Sequence, residues 1–127
     1  MVEVGRSRKG VITLTQIVAA YDCGAVIDRD NLINQIEGAL VMGIGGALFE
    51  QVHFANGRIT NGTMSDYRVP RFSDIPPISV ILVDRPTEPS AGAGETPIVA
   101  VAPAVANALW RVTGQRVREM PIRVAKA

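Results

Sequence analysis

The sequence is poor in the residues that most often hold metals or carry catalysis, since its 127 residues include one cysteine and one histidine. The single thiol, Cys23, excludes an internal disulfide and a zinc site built on several thiolates. We interpret it as a core residue, because free cysteines are commonly buried. The single histidine, His53, lies close to an Asn-Gly turn and is interpreted as an exposed residue of an edge strand rather than a catalyst.

The chain also lacks an excess of charge and a long apolar run. Thirteen basic residues against 12 acidic ones give a net charge of +1, which argues against a dedicated nucleic-acid-binding protein. The longest apolar run, residues 39–49, has 11 residues, whereas a membrane-spanning helix needs about 20, so no membrane span is expected. Residues 1–9 carry charges with no apolar segment behind them, so no signal peptide is expected. The compartment stays open, with the cytoplasm favoured.

Alternating apolar and polar residues predict several short strands within one domain that spans residues 1–127. In chain order, the predicted strands are residues 2–4, 11–21, 51–54, 58–60, 78–84 and 115–124. The first two strands are expected to form a hairpin, and Asn56-Gly57 is expected to close a second hairpin between the third and the fourth.

The first predicted helix covers residues 32–49 and follows candidate N-caps at residues 28–31. Its apolar side chains recur close to the 3.6-residue helical period, which predicts one buried face. The helix contains Gly38, Gly43, Gly45 and Gly46. Each glycine costs about 1 kcal/mol relative to alanine in a helix. The usual reason for such a cost is the close approach of another backbone or of a ligand.

The second predicted helix covers residues 96–112 and ends at Gly114. Thr96 is expected to cap it, and Pro97 suits its first turn. Pro103 is expected to kink the helix or to split it in two. Two helices and one mixed sheet predict a two-layer α+β domain, with both main helices packed on one face of the sheet.

The best candidate for chemistry is the segment 91–97, in which Gly92, Ala93 and Gly94 precede Glu95. Small neighbours leave the carboxylate uncrowded and let the backbone approach a bulky group. A helix that begins directly after Glu95 favours its ionised form, as a general base requires. The alternative is an ordinary loop whose glutamate lies near a helix start, and residue types alone favour this alternative.

Two further segments have a functional and a structural interpretation. Gln35 could exchange hydrogen bonds with the edge of a heteroaromatic cofactor, or it could be part of a solvated first turn. Residues 66–71 could bind an anion, or they could form a loop anchored by Tyr67 and an Asp–Arg pair, and anchoring is favoured. The arginines near the C-terminus are interpreted as a solvated face.

Taken together, the ordered segments resemble one protein family over nearly the whole chain. The segments are Asp22-Cys23-Gly24 and residues 35–43, 66–68, 92–95, 103–108 and 113–118. They resemble the C-terminal part of the molybdopterin-binding large subunit of the xanthine dehydrogenase/aldehyde oxidase family, with isoquinoline 1-oxidoreductase-like large subunits as the nearest branch.

The resemblance implies roles for five residues in the oxidative hydroxylation of an aldehyde or an N-heterocycle. Glu95 would be the general base, Gln35 would contact the pterin of the molybdenum cofactor, and Gly92, Ala93 and Gly94 would lie against the metal. None of them would be a metal ligand. The chain departs from the family at residues 28–31, where Asn-Pro is frequent, and at Thr96, where a proline is frequent.

Large subunits of this family are several times longer than this chain, so the resemblance also implies partners. These are the remainder of the large subunit and an iron–sulfur small subunit; a chain with one cysteine cannot hold such a cluster itself. Alone, the chain is expected to be inactive, to bind no molybdopterin and to form a homo-oligomer. The alternative is a non-catalytic subunit or relic of the same fold that acts through protein–protein contacts.

Overall fold

The computed structural model describes residues 1–6 and 12–123 of the chain. Its strands are β1 (Val2–Arg6), β2 (Ile12–Asp22), β3 (Phe54–Ala55), β4 (Arg58–Ile59) and β5 (Ile78–Val83). Its helices are α1 (Arg29–Leu48) and α2 (Val101–Thr113), with short 3-10 segments at Phe72–Asp74 and Thr96–Ala100. The predicted start of the second strand at Val11 and the predicted end of the last strand at Val124 lie outside the described residues.

The main sheet has three strands in the order β1-β2-β5. β1 pairs antiparallel with β2, whereas β2 pairs parallel with β5 from Ile17 opposite Ile78 to Asp22 opposite Val83. A parallel pair needs a crossover connection, and α1 lies within the one that joins β2 to β5. The mixed sheet that the sequence predicts is therefore confirmed.

α1 packs against this sheet because its apolar residues share one face. Asp28 caps the helix, with its Oδ1 accepting a hydrogen bond from the backbone N–H of Asn31 at 3.0 Å, as the sequence predicts. Ile36 and Ile44 are fully buried in the core. α2 contributes Val101 and Val105 to the same core, so the predicted two-layer α+β arrangement is confirmed.

The helix glycines divide into two kinds. A Cβ on Gly43 would lie 2.6 Å from Cγ2 of Val101, so α2 approaches α1 closely at this point. A Cβ on Gly38 or Gly46 would meet nothing within 4 Å. Close packing between the helices therefore explains Gly43, whereas Gly38 and Gly46 lie on the open side of α1.

Two predictions about the second half of the chain need correction. Within residues 115–123 the structure contains no strand. Instead, the backbone N–H of Ile122 donates to the carbonyl of Ala47 at 2.7 Å, so this segment packs against the end of α1 and does not join the sheet. Thr96 does not cap a helix, because its hydroxyl bonds to Tyr21. The predicted split near Pro103 is confirmed: a 3-10 segment precedes α2, whose first turn tolerates a proline.

Candidate functional site

The ends of β2 and β5 bring the candidate residues together. Because the two strands are parallel, their carboxyl ends lie at the same edge of the sheet. The chain that leaves β2 leads into α1, and the chain that leaves β5 leads into residues 91–96, which we name the Glu95 loop. The Glu95 loop therefore lies beside the end of β2 and the first turns of α1.

The Asp22-Cys23-Gly24 motif fixes the path of the chain at this edge. The Oδ1 of Asp22 accepts a hydrogen bond from the Gly24 N–H at 3.0 Å. Gly24 has φ +78°, and a Cβ there would collide with the carbonyl oxygen of Pro89, so only glycine suits this position. The Cys23 carbonyl accepts a hydrogen bond from the N–H of Ala91 at 2.8 Å, which attaches the start of the Glu95 loop to the motif.

Neutral side chains from β2 and α1 hold the rest of the Glu95 loop. Nε2 of Gln35 donates to the carbonyl of Gly94 at 2.8 Å. The Tyr21 hydroxyl donates to the carbonyl of Gly92 at 3.3 Å, and it also forms a short hydrogen bond with the Thr96 hydroxyl. The side chain of Ala93 is buried in the core between these contacts. The loop is thus attached to the domain on both sides of its glutamate.

The Glu95 side chain is exposed near the end of this loop. Its residue occupies the N-cap position of the 3-10 segment Thr96–Ala100. Its carboxylate makes no hydrogen bond or ion pair with any residue in the ranges 1–6 and 12–123. The arrangement therefore presents a carboxylate that is positioned by its backbone and left available to a group outside the domain.

The structure thus joins Gln35 directly to the Gly92–Glu95 segment, which the sequence alone did not connect. It also adds Tyr21, which the sequence pattern indicates only as the last residue of a predicted strand. The available signal was its place directly before the Asp22-Cys23-Gly24 motif, since a tyrosine there combines an apolar ring with a hydroxyl that needs a partner.

A cluster of charged and aromatic side chains lies at the opposite end of α1, in residues 61–75, which we name the Asp74 loop. The Tyr67 hydroxyl donates to Oε2 of Glu50 at 3.1 Å, and Arg68 forms an ion pair with Asp74 at 2.8 Å. The Arg68 guanidinium also stacks 4.0 Å from the centre of the Phe49 ring. The prediction that Tyr67 and an Asp–Arg pair anchor this loop is confirmed. Thirteen helical steps of 1.5 Å each separate Gln35 from Leu48, the last residue of α1, so the two loops lie about 20 Å apart along the helix axis.

The contacts of the Asp74 loop change the acidity of two groups. Partial burial, with the hydrogen bond to Glu50, raises the pKa of Tyr67. The backbone N–H of Arg71, with the Arg68 guanidinium, lowers the pKa of Asp74. The raised pKa keeps Tyr67 protonated as the donor to Glu50, and the lowered pKa keeps Asp74 ionised as the acceptor from Arg68 and Arg71. The cluster therefore serves the architecture of the loop.

Within the described ranges, no set of three or more histidine, cysteine, aspartate or glutamate side chains is placed to hold a metal ion. No helix in residues 1–6 and 12–123 has the length and apolar character required to cross a bilayer. His53 is exposed, as the sequence predicts, but it lies before β3 rather than in a strand, whereas Cys23 is buried as predicted.

A family model described as the molybdopterin cofactor-binding domain matches residues 1–76. One of the subunits of nicotinate dehydrogenase from Pseudomonas putida is 33% identical over 115 residues, which cover 91% of this chain and 10% of that protein. The beta subunit of isoquinoline 1-oxidoreductase from Brevundimonas diminuta is 34% identical over 119 residues, or 94% of this chain and 15% of that protein. The chain therefore spans only a small part of the length of these relatives.

Solved structures agree with the sequence comparisons. Quinoline 2-oxidoreductase from Pseudomonas putida 86 superposes with a TM-score of 0.79 at 25% identity, over 90% of this chain and 16% of that one. A Cu,Mo-containing CO dehydrogenase shares the fold with a TM-score of 0.76 at 20% identity, over 87% of this chain and 15% of that one. The resemblance found in the sequence is confirmed: the chain belongs to the molybdopterin cofactor-binding domain family of xanthine dehydrogenase and aldehyde oxidoreductase large subunits.

Proposed function

We propose that this chain supplies the general base and part of the molybdopterin site of a molybdenum hydroxylase large subunit. The observation that carries the proposal is the Glu95 carboxylate, exposed and unpaired within the described residues, on a loop that Tyr21 and Gln35 hold in place. The names of the relatives point to substrates of two kinds, N-heterocycles and aldehydes.

The surface beside Gly94 leaves room for a bound group. A Cβ on Gly38 or Gly94 would meet nothing within 4 Å, so backbone rather than side chains lines this part of the surface. Gln35 uses its Nε2 on the loop, which leaves its side-chain oxygen as an acceptor for a ring N–H of a pterin. Gln35 would therefore hold the pterin, while Gly92, Ala93 and Gly94 let the backbone lie close to the metal.

The residues of this chain would have two separate roles, proton acceptance and positioning of the loop. When bound, the molybdenum cofactor supplies the redox centre for replacing a carbon–hydrogen bond of the substrate by a carbon–oxygen bond. Glu95 would accept the proton that this hydroxylation releases, at its exposed carboxylate. Tyr21 and Gln35 hold the carbonyls of Gly92 and Gly94, so the carboxylate is oriented before the substrate arrives.

The chain by itself provides only one side of such a site. It spans 10% to 18% of the length of its relatives, so the rest of a large subunit would supply the other cofactor contacts and the substrate pocket. An iron–sulfur subunit would carry the electrons away. Isolated, the chain should contain no stoichiometric molybdenum and oxidise neither aldehydes nor N-heterocycles. Metal analysis of the purified chain tests this, and stoichiometric molybdenum would contradict it.

We further propose that the isolated chain forms a homo-oligomer. Phe54, Met64 and Phe72 are exposed to solvent by 71%, 90% and 99%, and side chains of this kind promote association where they adjoin in one patch. Light scattering at increasing concentration measures the state, and a monomer at high concentration would contradict the proposal.

The role of Glu95 is tested in the assembled enzyme, where turnover is measured per bound molybdenum. Glu95→Gln retains the shape of the side chain but cannot accept a proton, so turnover should fall by about 100- to 10,000-fold with normal cofactor content. Glu95→Asp should also be slow, because a shorter side chain withdraws the carboxylate. Glu88→Gln is the matched control: Glu88 belongs to the same connection after β5, and among the described residues its side chain pairs with exposed Arg85. Equal turnover in wild type and Glu95→Gln would remove Glu95 from the mechanism.

A further inference from the structure

Thr96 follows Glu95 directly, and its side chain is attached to the main sheet. Its hydroxyl forms a hydrogen bond with the hydroxyl of Tyr21 near the end of β2, a residue 75 positions away in the sequence. Thr96 also begins the 3-10 segment Thr96–Ala100, in which Glu95 occupies the N-cap position. The hydrogen bond therefore connects the residue after the carboxylate to a remote strand.

The direction of this hydrogen bond follows from the groups involved. The Tyr21 hydroxyl has one proton, and the carbonyl oxygen of Gly92, 3.3 Å away, can only accept. Because the proton of Tyr21 goes to Gly92, the Thr96 hydroxyl donates its own proton to the oxygen of Tyr21. Two hydrogen bonds in series, from Thr96 through Tyr21 to Gly92, thus connect the two sides of Glu95, and bonds in series strengthen one another.

The backbone of Glu95 has φ −101° and ψ 0°, in the sparsely populated bridge region where many active-site residues lie. Before it, Gln35 holds the carbonyl of Gly94. After it, the N–H of Ile98 donates to the carbonyl of Glu95 at 3.1 Å. Ile98 belongs to the same 3-10 segment as Thr96, so this bond alone does not fix the segment to the sheet. The Thr96 hydroxyl supplies that link.

We propose that Thr96 is a positioning residue for Glu95, which acts by donating its hydroxyl proton to Tyr21. The bond fixes the start of the 3-10 segment and so the direction in which the Glu95 side chain leaves the backbone. A displacement of about 1 Å in a catalytic group can cost about 100-fold in rate, so such a link has kinetic consequences. The inference rests on the proposed role of Glu95 as the general base.

The first test compares variants of Thr96 in the assembled enzyme, with turnover measured per bound molybdenum. Thr96 is exposed, so its substitution leaves the core intact. Thr96→Val keeps the branched shape without the hydroxyl, and it should lower kcat by roughly tenfold with KM within about twofold. Thr96→Ser keeps the hydroxyl and should retain kcat within about threefold.

Thr60→Val is the matched control for this test. It makes the same change next to β4, where the Thr60 hydroxyl donates to the carbonyl of His53 at 3.3 Å. This hydrogen bond belongs to the small hairpin and not to the Glu95 loop, so kcat should stay within about twofold of wild type.

The second test asks whether Thr96 acts through Tyr21. In a Tyr21→Phe background the acceptor is already absent, so adding Thr96→Val should change kcat by less than about twofold. In the isolated chain, Thr96→Val should speed amide exchange of Ile98 by roughly tenfold, because the first turn of the 3-10 segment opens more often. The amide of Ala91, which donates to the Cys23 carbonyl, is the internal control.

The remaining outcomes contradict the inference in different ways. Unchanged kcat in Thr96→Val would show that Thr96 does not position the base, although the role of Glu95 would stand if Glu95→Gln still loses turnover. Equal losses in Thr96→Val and Thr96→Ser would show that the shape of the side chain matters and its hydroxyl does not. Additive losses with Tyr21→Phe would exclude action through Tyr21. Full turnover in Glu95→Gln would instead overturn the proposed function itself.

Discussion

The Glu95 loop and the Asp74 loop lie at opposite ends of α1, and each is held in place by a different kind of side chain. Neutral side chains, Tyr21 and Gln35, hold the Glu95 loop by its backbone carbonyls. Charged side chains hold the Asp74 loop, through the Arg68–Asp74 ion pair and the Tyr67–Glu50 hydrogen bond. The first solution leaves a carboxylate free, whereas the second uses its carboxylates within the loop. Because neutral groups hold the Glu95 loop, its carboxylate is not used in holding the loop.

The largest effects should come from exchanging one carboxylate in each loop for its amide. In the assembled enzyme, Asp74→Asn should leave turnover within about twofold, in contrast to the loss of 100-fold or more expected for Glu95→Gln. In the isolated chain, where the free energy of unfolding is measured instead of turnover, Asp74→Asn should have the larger effect. Asp74→Asn should lower the free energy of unfolding by about 1–2 kcal/mol, because it weakens charge-assisted hydrogen bonds from Arg71 and Arg68. Glu95→Gln should change it by less than about 0.5 kcal/mol.

Chemical denaturation and turnover, measured on both variants, check this double contrast. The proposed difference between the loops would be contradicted if Glu95→Gln lowered the free energy of unfolding as much as Asp74→Asn does. That result would show that the Glu95 carboxylate has a structural partner.

A smaller effect separates the two tyrosines. Tyr21→Phe and Tyr67→Phe each remove one hydroxyl, and each should cost about 0.5–1.5 kcal/mol of unfolding free energy. Only Tyr21→Phe should speed amide exchange in residues 92–96, because its hydroxyl holds Gly92 and Thr96. In the assembled enzyme, only Tyr21→Phe should lower kcat, since Tyr21 positions the loop that carries the base.

Tyr67→Phe is the matched control, with the same atom removed from the other loop. Hydrogen exchange by NMR and steady-state kinetics measure the two effects. Equal exchange rates in residues 92–96 for both variants would show that the Tyr21 hydroxyl does not hold the loop.

The sequence predicts most of the fold because its signals are local. The N-cap at Asp28 and the hairpin turn at Asn56-Gly57, with φ of 52° and 74°, depend on a few adjacent residues. The segment after Gly114 was predicted wrongly as a strand, because its neighbour, the end of α1, is distant in sequence. Local patterns do not show which remote backbone a short apolar segment will meet.

The candidate site was predictable in part for the same reason. Glu95 and Gln35 follow from motifs, but the hydrogen bond between Gln35 and Gly94 joins residues 59 positions apart. Tyr21 was missed because its partners, Gly92 and Thr96, are more than 70 positions away. The parallel pairing of β2 and β5 produces both contacts, and no motif encodes that pairing directly.

The smallest expected effect is a pH dependence that belongs to the Asp74 loop alone. The Arg71 backbone N–H and the Arg68 guanidinium lower the pKa of Asp74 below its ordinary value of 3.8. A carboxyl whose pKa is lower in the folded state stabilises the fold above its unfolded pKa and loses this contribution as the pH falls through the folded pKa. The difference in unfolding free energy between wild type and Asp74→Asn should therefore be constant from about pH 7 to 5 and shrink below about pH 4. Urea denaturation across this range measures it. A difference that stays constant down to about pH 2 would show that the Asp74 charge contributes nothing, and that its hydrogen-bonding shape alone holds the loop.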